Sequence, residues 1–254
     1  MCRIELEDLE HPKELTRAGR SAPHLIRQEK GIMPCDFSYD HYREIIETAK
    51  RRGYRVMQMR EYARPREDSR ILLLRHDIDI HPKCAERLAR FERDLGVRST
   101  YFVRVHTNLY NPFSYDVYPL LRKILEMEHE IGLHFENVDF SHTTGEDASL
   151  ILRREIDALQ AILGVKITGM AAHRDLISAV SNDGTNPSEY GLAYEARAVT
   201  NDCMFVSDSL RQWTRTEGRC VCRVLQDTHL DVPRICLLTH PEFWYERPSG
   251  VQHL

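Results

Sequence analysis

The chain has 254 residues, of which 42% are hydrophobic and 29% charged, a globular composition with enough apolar side chains for a substantial core. A net charge of −4 and a pI near 6.4 exclude a broad electrostatic pull toward nucleic acid or anionic membrane. No apolar run approaches the roughly 20 residues that span a bilayer. The start MCRIELEDLEHPKEL is acidic and lacks the apolar segment of a secretory signal, so a cytoplasmic protein is expected.

Residues 1–37 carry mixed charge and little periodic hydrophobicity and read as an N-terminal extension; 38–254 read as one domain. From Ser38 the pattern predicts a capped amphipathic helix with Tyr42, Ile45, Ile46 and Ala49 on one face, stopped by Gly53. The continuous apolar run Ile71 to Leu74 predicts a strand buried on both faces, as in a parallel sheet, and it runs into Arg75-His76-Asp77-Ile78-Asp79. Pro82 opens a helix that Gly96 ends. A strand at Ser99 to Val103, a helix from about Tyr115 to Glu128 and a strand at Glu130 to Leu133 follow. A long helix from Asp147 to Leu163 stops at Gly164. Three further short strands are expected at Ile167 to Met170, Met204 to Val206 and Ile235 to Leu238. Alternating strands and helices imply parallel strands with right-handed crossovers. Five or six strands in this length predict an α/β fold, a distorted or incomplete (β/α) barrel, rather than a doubly wound sheet. No G-x-G-x-x-G or Walker loop supports a nucleotide fold. The polar stretch from Asp175 to Glu189 reads as a loop over the site.

Seven cysteines are scattered and odd in number, with no C-x-x-C pair. Cys220 and Cys222 are a weak metal signal on their own, and reduced thiols in or near the core are the expectation.

The informative pattern is where polar residues sit relative to the apolar runs. Asp77 and Asp79 follow the first run, His134 and His173 follow later ones, and His240 follows the last. In a parallel barrel these strand ends share one face, so the five side chains converge. Asp77 and Asp79, two apart on extended chain, point the same way; a solvated strand end with a capping aspartate is the structural alternative. One aspartate with two histidines and an open position is a donor set for catalytic Zn²⁺ or a similar metal.

The ordered series LRHDID, STYFV, HEIGLHFE, HRD, VSDSLRQW and LLTHPEFW resembles the polysaccharide deacetylases of NodB homology (carbohydrate esterase family 4), and within them the divergent WbmS-like branch. The similarity runs from about Ile71 to Trp244. It implies a NodB-type barrel and a metal-dependent hydrolase that removes an N-acetyl or related acyl group from a sugar or surface-polysaccharide precursor. By this resemblance Asp77 is the catalytic base, His240 the general acid, and Asp79 and His134 metal ligands. The motif's second histidine falls at Val138, so His173 takes the third ligand position, with His142 and Asp139 as alternatives. Asp208 and Trp213 match the aspartate and aromatic wall of the family's sugar site, and Arg174, which replaces the small residue expected beside the histidine, and Trp244 are further candidates for substrate binding. The metal and a backbone N–H after the second strand, near Tyr101-Phe102, are the expected stabilisers of the oxyanion. Phe243, Trp244 and Tyr245 either stack on a sugar face or cap the open side of the barrel. An acetylated amino sugar or glycan is the expected partner and zinc the expected metal, with no nucleic acid. The competing reading is an inactive NodB-fold carbohydrate-binding module, motivated by Val138; a phosphoesterase or a DxD glycosyltransferase ranks below it.

Overall fold

The structure is a computed structural model and describes residues 35–64, 70–173, 185–213, 216 and 218–247. In chain order its elements are α1 (Tyr39–Arg51), β1 (Arg55–Met57), α2 (Met59–Tyr62), β2 (Ile71–Ile78), α3 (Pro82–Asp94) and β3 (Thr100–Val103). Then come α4 (Tyr118–Glu126), β4 (Glu130–Phe135), α5 (Asn137–Thr144), α6 (Ala148–Leu163) and β5 (Gly169–Ala172). The chain continues through β6 (Tyr194–Glu195), α7 (Ala196–Val199), β7 (Met204–Ser207), α8 (Val221–Gln226) and β8 (Arg234–Thr239).

Local chemistry explains where the helices begin and end. Ser38 caps α1, its hydroxyl accepting from the His41 N–H at 3.2 Å, and Tyr42, Ile45, Ile46 and Ala49 bury the inner face. Asp147 caps α6 by accepting from the Ser149 and Leu150 N–H groups, and Gly164 ends it in the left-handed region at φ 68°.

The strands lie in the order β6-β5-β4-β3-β2-β8-β7, every pairing is parallel, and the sheet curls into a half-barrel. Among the described residues no pairing joins β6 to β7, so the barrel is incomplete. Among the described residues there are eight strands rather than five or six. The additional ones include β1 and β6, three and two residues long, too short to show a period. β1 pairs with Ile71–Leu73 of β2, and β3 takes over the same edge from Arg75 onward.

Side chains of β2 alternate between two layers. Leu72 and Leu74 join the core between the sheet and the helices, whereas Ile71 and Leu73 point inward against Met57, Tyr62 and Cys236. All eight residues of β2 are buried. By the same alternation His76 faces the helices, while Arg75 and Asp77 face the barrel interior. That interior is filled tightly near β5: a Cβ on Gly169 would lie 2.0 Å from the Tyr194 ring, so only glycine fits beneath it.

Phe102 and Tyr101 are internal to β3, which is paired on both sides, with β2 and β4. Their own N–H groups belong to the ladder, so an oxyanion donor after this strand would come from the residues that follow Val103.

On the helix side, Glu92 of α3 gathers a buried polar network. Its Oε1 accepts from the Tyr42 hydroxyl at 2.5 Å and lies 2.9 Å from His76 Nε2. Its Oε2 accepts from Ser99 Oγ at 2.5 Å and the Tyr101 hydroxyl at 2.7 Å. His76 reaches Thr239 on β8 at 2.6 Å. Burial alone would raise the Glu92 carboxyl, but His76 and the other donors outweigh it and hold it down at about 2. A carboxyl depressed in the folded state contributes stability above its ordinary value near 4.5, and that contribution is lost as pH falls toward about 2. Glu92→Gln is expected to cost about 3 kcal/mol at neutral pH and to flatten the acid limb of stability in urea unfolding. An unchanged acid limb would contradict this account.

Candidate active site

Because all strands run parallel, their C-terminal ends deliver side chains to one rim. Asp79 and His173 stand one residue beyond β2 and β5, and Asp208 and His240 one beyond β7 and β8. His134 is the penultimate residue of β4 rather than a residue following it. Asp79, His134 and His173 come together, their ligand atoms within 4.8 Å of one another. Asp79 Oδ1 is 3.3 Å from His134 Nε2 and 3.6 Å from His173 Nε2.

Both imidazoles are oriented by their other nitrogen. His134 Nδ1 is 2.9 Å from the Ala171 carbonyl, to which it donates, and His173 Nδ1 lies 2.5 Å from Glu136 Oε1. Each Nε2 is thereby aimed at Asp79, the usual arrangement for metal-binding histidines. Nitrogen and oxygen ligands on a tetrahedral zinc ion sit about 3.3 Å apart, close to the separations here. Asp79 Oδ1 is buried without a hydrogen-bond partner, as befits an atom reserved for a cation. The three residues fit a divalent metal.

Electrostatics agree. Burial alone would raise the Asp79 carboxyl, but the neighbouring His134 and His173 rings outweigh it and hold it far below the usual carboxylate range. Burial likewise disfavours charge on His173, yet Asp79 and Glu136 raise it to about 9. Such a pocket holds positive charge, whether protons or a metal ion. The alternatives His142 and Asp139 lie on α5 outside this group. Val138 occupies the first turn of α5, and the third member of the group, His173, comes from just beyond β5.

Asp77 stands beside the ligand set, its Oδ2 3.4 Å from His134 Nε2. Arg75 grips it in a bidentate pair, Nε to Oδ1 at 2.9 Å and Nη2 to Oδ2 at 2.8 Å. Burial alone would raise this carboxyl, but the Arg75 charge outweighs it, so Asp77 remains ionised. On the other side, His240 Nε2 is 3.6 Å from Asp79 Oδ2, and its Nδ1 is 2.6 Å from Asp208 Oδ1. Burial works against protonation of His240, but Asp208 outweighs it and raises the imidazole to about 9. It is therefore charged at neutral pH.

The residues matched to a substrate site are placed differently from that expectation. Asp208 has 0% exposure and spends its oxygens on the His240 ring, the His240 N–H and the Trp244 indole at 2.9 Å. It orients the histidine and does not face the rim. Trp213 and Trp244 are buried as well: Phe37 stacks on Trp213 at 5.5 Å and meets Trp244 edge-on at 5.4 Å. They form a wall behind Asp208, which leaves little indole surface for a sugar. Arg174, and most of the loop from Asp175 to Glu189, lie outside the described residues. Two participants escaped the sequence reading, Arg75 as the partner of Asp77 and Glu136 as that of His173. The polar Arg75-His76 pair on an otherwise apolar strand was the available signal for the first.

The rim of the open parallel barrel thus brings together an ionised carboxylate, a protonated imidazole and three metal-type ligands. No family model matches the sequence, and no curated protein sequence matches it. Several solved structures are similar to the chain. One is a mutant of a CE4 family pseudoenzyme from Bacillus anthracis with restored enzymatic activity, at 13% identity over 69% of this chain and 57% of that one, with a TM-score of 0.41. Another is the chitin deacetylase of the fungal pathogen Colletotrichum lindemuthianum, at 19% identity over 68% and 74% of the two chains, with a TM-score of 0.46. A third is a family 4 carbohydrate esterase from Bacillus anthracis, at 14% identity over 78% and 76%, with a TM-score of 0.42. Each likeness is one of fold alone.

If Asp208 is what keeps His240 charged, Asp208→Asn should move the His240 titration, followed by NMR of its ring protons, from about 9 down toward the ordinary value of about 6.5. A midpoint unmoved by the substitution would sink that assignment.

Proposed function

We propose that this chain is a hydrolase that removes an acyl group, most simply N-acetyl, from an amino sugar or a surface-polysaccharide precursor. The observation that carries the reading is the pairing of opposite proton-transfer groups across one cluster. Asp77 is ionised and His240 protonated at the same pH, and both flank Asp79, His134 and His173. Amide hydrolysis needs that combination, because water must lose a proton while the amine leaving group gains one. The resemblance of the LRHDID, HEIGLHFE and LLTHPEFW segments to NodB-type deacetylases supplies the substrate class.

Asp79, His134 and His173 would hold the metal, zinc being favoured by two imidazoles and one carboxylate, and when bound it would supply Lewis-acid polarisation and an acidified water. Asp77 accepts the proton of the attacking water, and Arg75 keeps its carboxylate ionised and aimed for the next turnover. His240 donates from Nε2 to the departing nitrogen, while Asp208 on Nδ1 stabilises the charged ring before transfer. The products are a carboxylic acid, acetate in the simplest case, and a free amino sugar. No helix among the described residues is long and apolar enough to cross a membrane.

The inactive-module reading keeps one observation, Val138 at the position of the motif's second histidine. Acetate release from N-acetylglucosamine oligosaccharides and nucleotide-linked N-acetyl sugars separates the two. With zinc present, the wild type is expected to turn over. Asp77→Asn should lose about 10² to 10⁴-fold in kcat while retaining its metal, and His173→Ala should lower bound metal by one equivalent. A wild type that binds metal at the rim but releases no acetate from the panel would favour the binding module.

A further inference from the structure

A second group of metal-type ligands lies away from the rim. Cys35, His41, Cys220 and Cys222 present one ligand atom each, all within 4.8 Å of one another. Cys35 Sγ is 3.4 Å from Cys222 Sγ, and His41 Nε2 is 3.1 Å from Cys220 Sγ. His41, Cys220 and Cys222 are buried, and Cys35 closes the group from the exposed side. His41 belongs to the first turn of α1, Cys220 is the N-cap of α8, and Cys222 is inside α8. The sequence showed only an isolated C-x-C pair; the other two donors come from the opposite end of the chain.

Three features mark these residues as more than packed thiols. The sulfur–sulfur distance is far from the roughly 2.05 Å of a disulfide, while the spacings approach the roughly 3.5–3.8 Å between neighbouring ligands on a tetrahedral zinc ion. His41 Nδ1 lies 3.0 Å from Glu44 Oε2, which directs Nε2 at the sulfurs in the carboxylate–histidine pattern of zinc sites. Three thiols are weak hydrogen-bond formers, so hydrogen bonding alone gives little reason for three of them to converge on a buried imidazole.

We propose that Cys35, His41, Cys220 and Cys222 form a closed Cys3His site for a structural zinc ion. Four protein ligands leave no open position for substrate. A clip between Cys35 and Cys222 spans 187 positions of sequence, a long loop whose closure constrains the unfolded chain. It also fixes the segment that backs the acid. Cys35 leads through Asp36, which accepts from Arg247 at 2.7 Å, to Phe37 against Trp213 and Trp244. Trp244 donates to Asp208, and Asp208 holds His240.

The test is cobalt(II) reconstitution of the full chain carrying Asp79→Ala and His173→Ala, which disables the rim site and leaves this one intact. The expected result is one bound equivalent, with a near-ultraviolet thiolate-to-cobalt charge-transfer band and the visible bands of a tetrahedral ion. Both should be lost in a version that also carries Cys220→Ser or Cys222→Ser. Zinc bound to the same rim-disabled chain should be released by a thiol-specific mercurial, and its removal should lower the Tm. Cobalt binding without the thiolate band would overturn the proposal, as would no bound metal in the rim-disabled chain or a Cys35–Cys222 disulfide in the mass of the untreated protein. None of these readouts involves catalysis, so failure of the deacetylase reading would leave the outcome intact.

Discussion

The Glu92 carboxylate, buried at 0% exposure, is the constraint on which the positions of the other parts rest. A charge in that environment is tolerated only with its lone pairs satisfied, and the donors come from α1, β2 and the start of β3. One side chain therefore sets the relation of two helices to the central strands. The link through His76 matters most. With His76 tied outward to Glu92 and to Thr239 of β8, the period of two along a strand sends Arg75 and Asp77 inward. A shift of one residue would turn the Asp77 carboxylate toward the helices.

Inside the rim the same logic recurs at smaller scale. Each histidine that faces the cluster has its second nitrogen engaged, His134 by a carbonyl, His173 by Glu136 and His240 by Asp208. Those partners decide what each ring can do. The Ala171 carbonyl accepts from His134 Nδ1 and leaves Nε2 facing the cluster, whereas carboxylates stand behind His173 and His240 and help to raise both rings to about 9.

The face beyond β7 and β8 depends on contacts between the two ends of the described chain. Residues 35–37 lie against the segment around Trp244, with Tyr245 accepting from the Tyr39 N–H at 2.9 Å. Phe37, Trp213 and Trp244 make an aromatic wall there. Of the aromatics after His240, Trp244 is packed in the core against Phe37, Tyr42 and Trp213. The stretch up to residue 37, which reads as an extension by composition, contributes to this wall through Phe37.

What the sequence determined by itself was the parallel α/β alternation and the residues at the strand ends. Continuous apolar runs such as ILLL and stops such as Gly164 are local signals, and a polar residue after such a run is conspicuous. Asp77, Asp79, His134, His173 and His240 could therefore be singled out, and the structure gathers them at one rim. Tertiary structure alone decided the partners. Asp208 reads as a strand-end aspartate whether it touches sugar or a histidine 32 positions away, and only packing shows that it is buried behind His240. Arg75 and Glu136 acquire their roles in the same way. The convergence of Cys35 and His41 on Cys220 and Cys222 joins residues up to 187 positions apart, and spacing along a sequence carries no information about that distance.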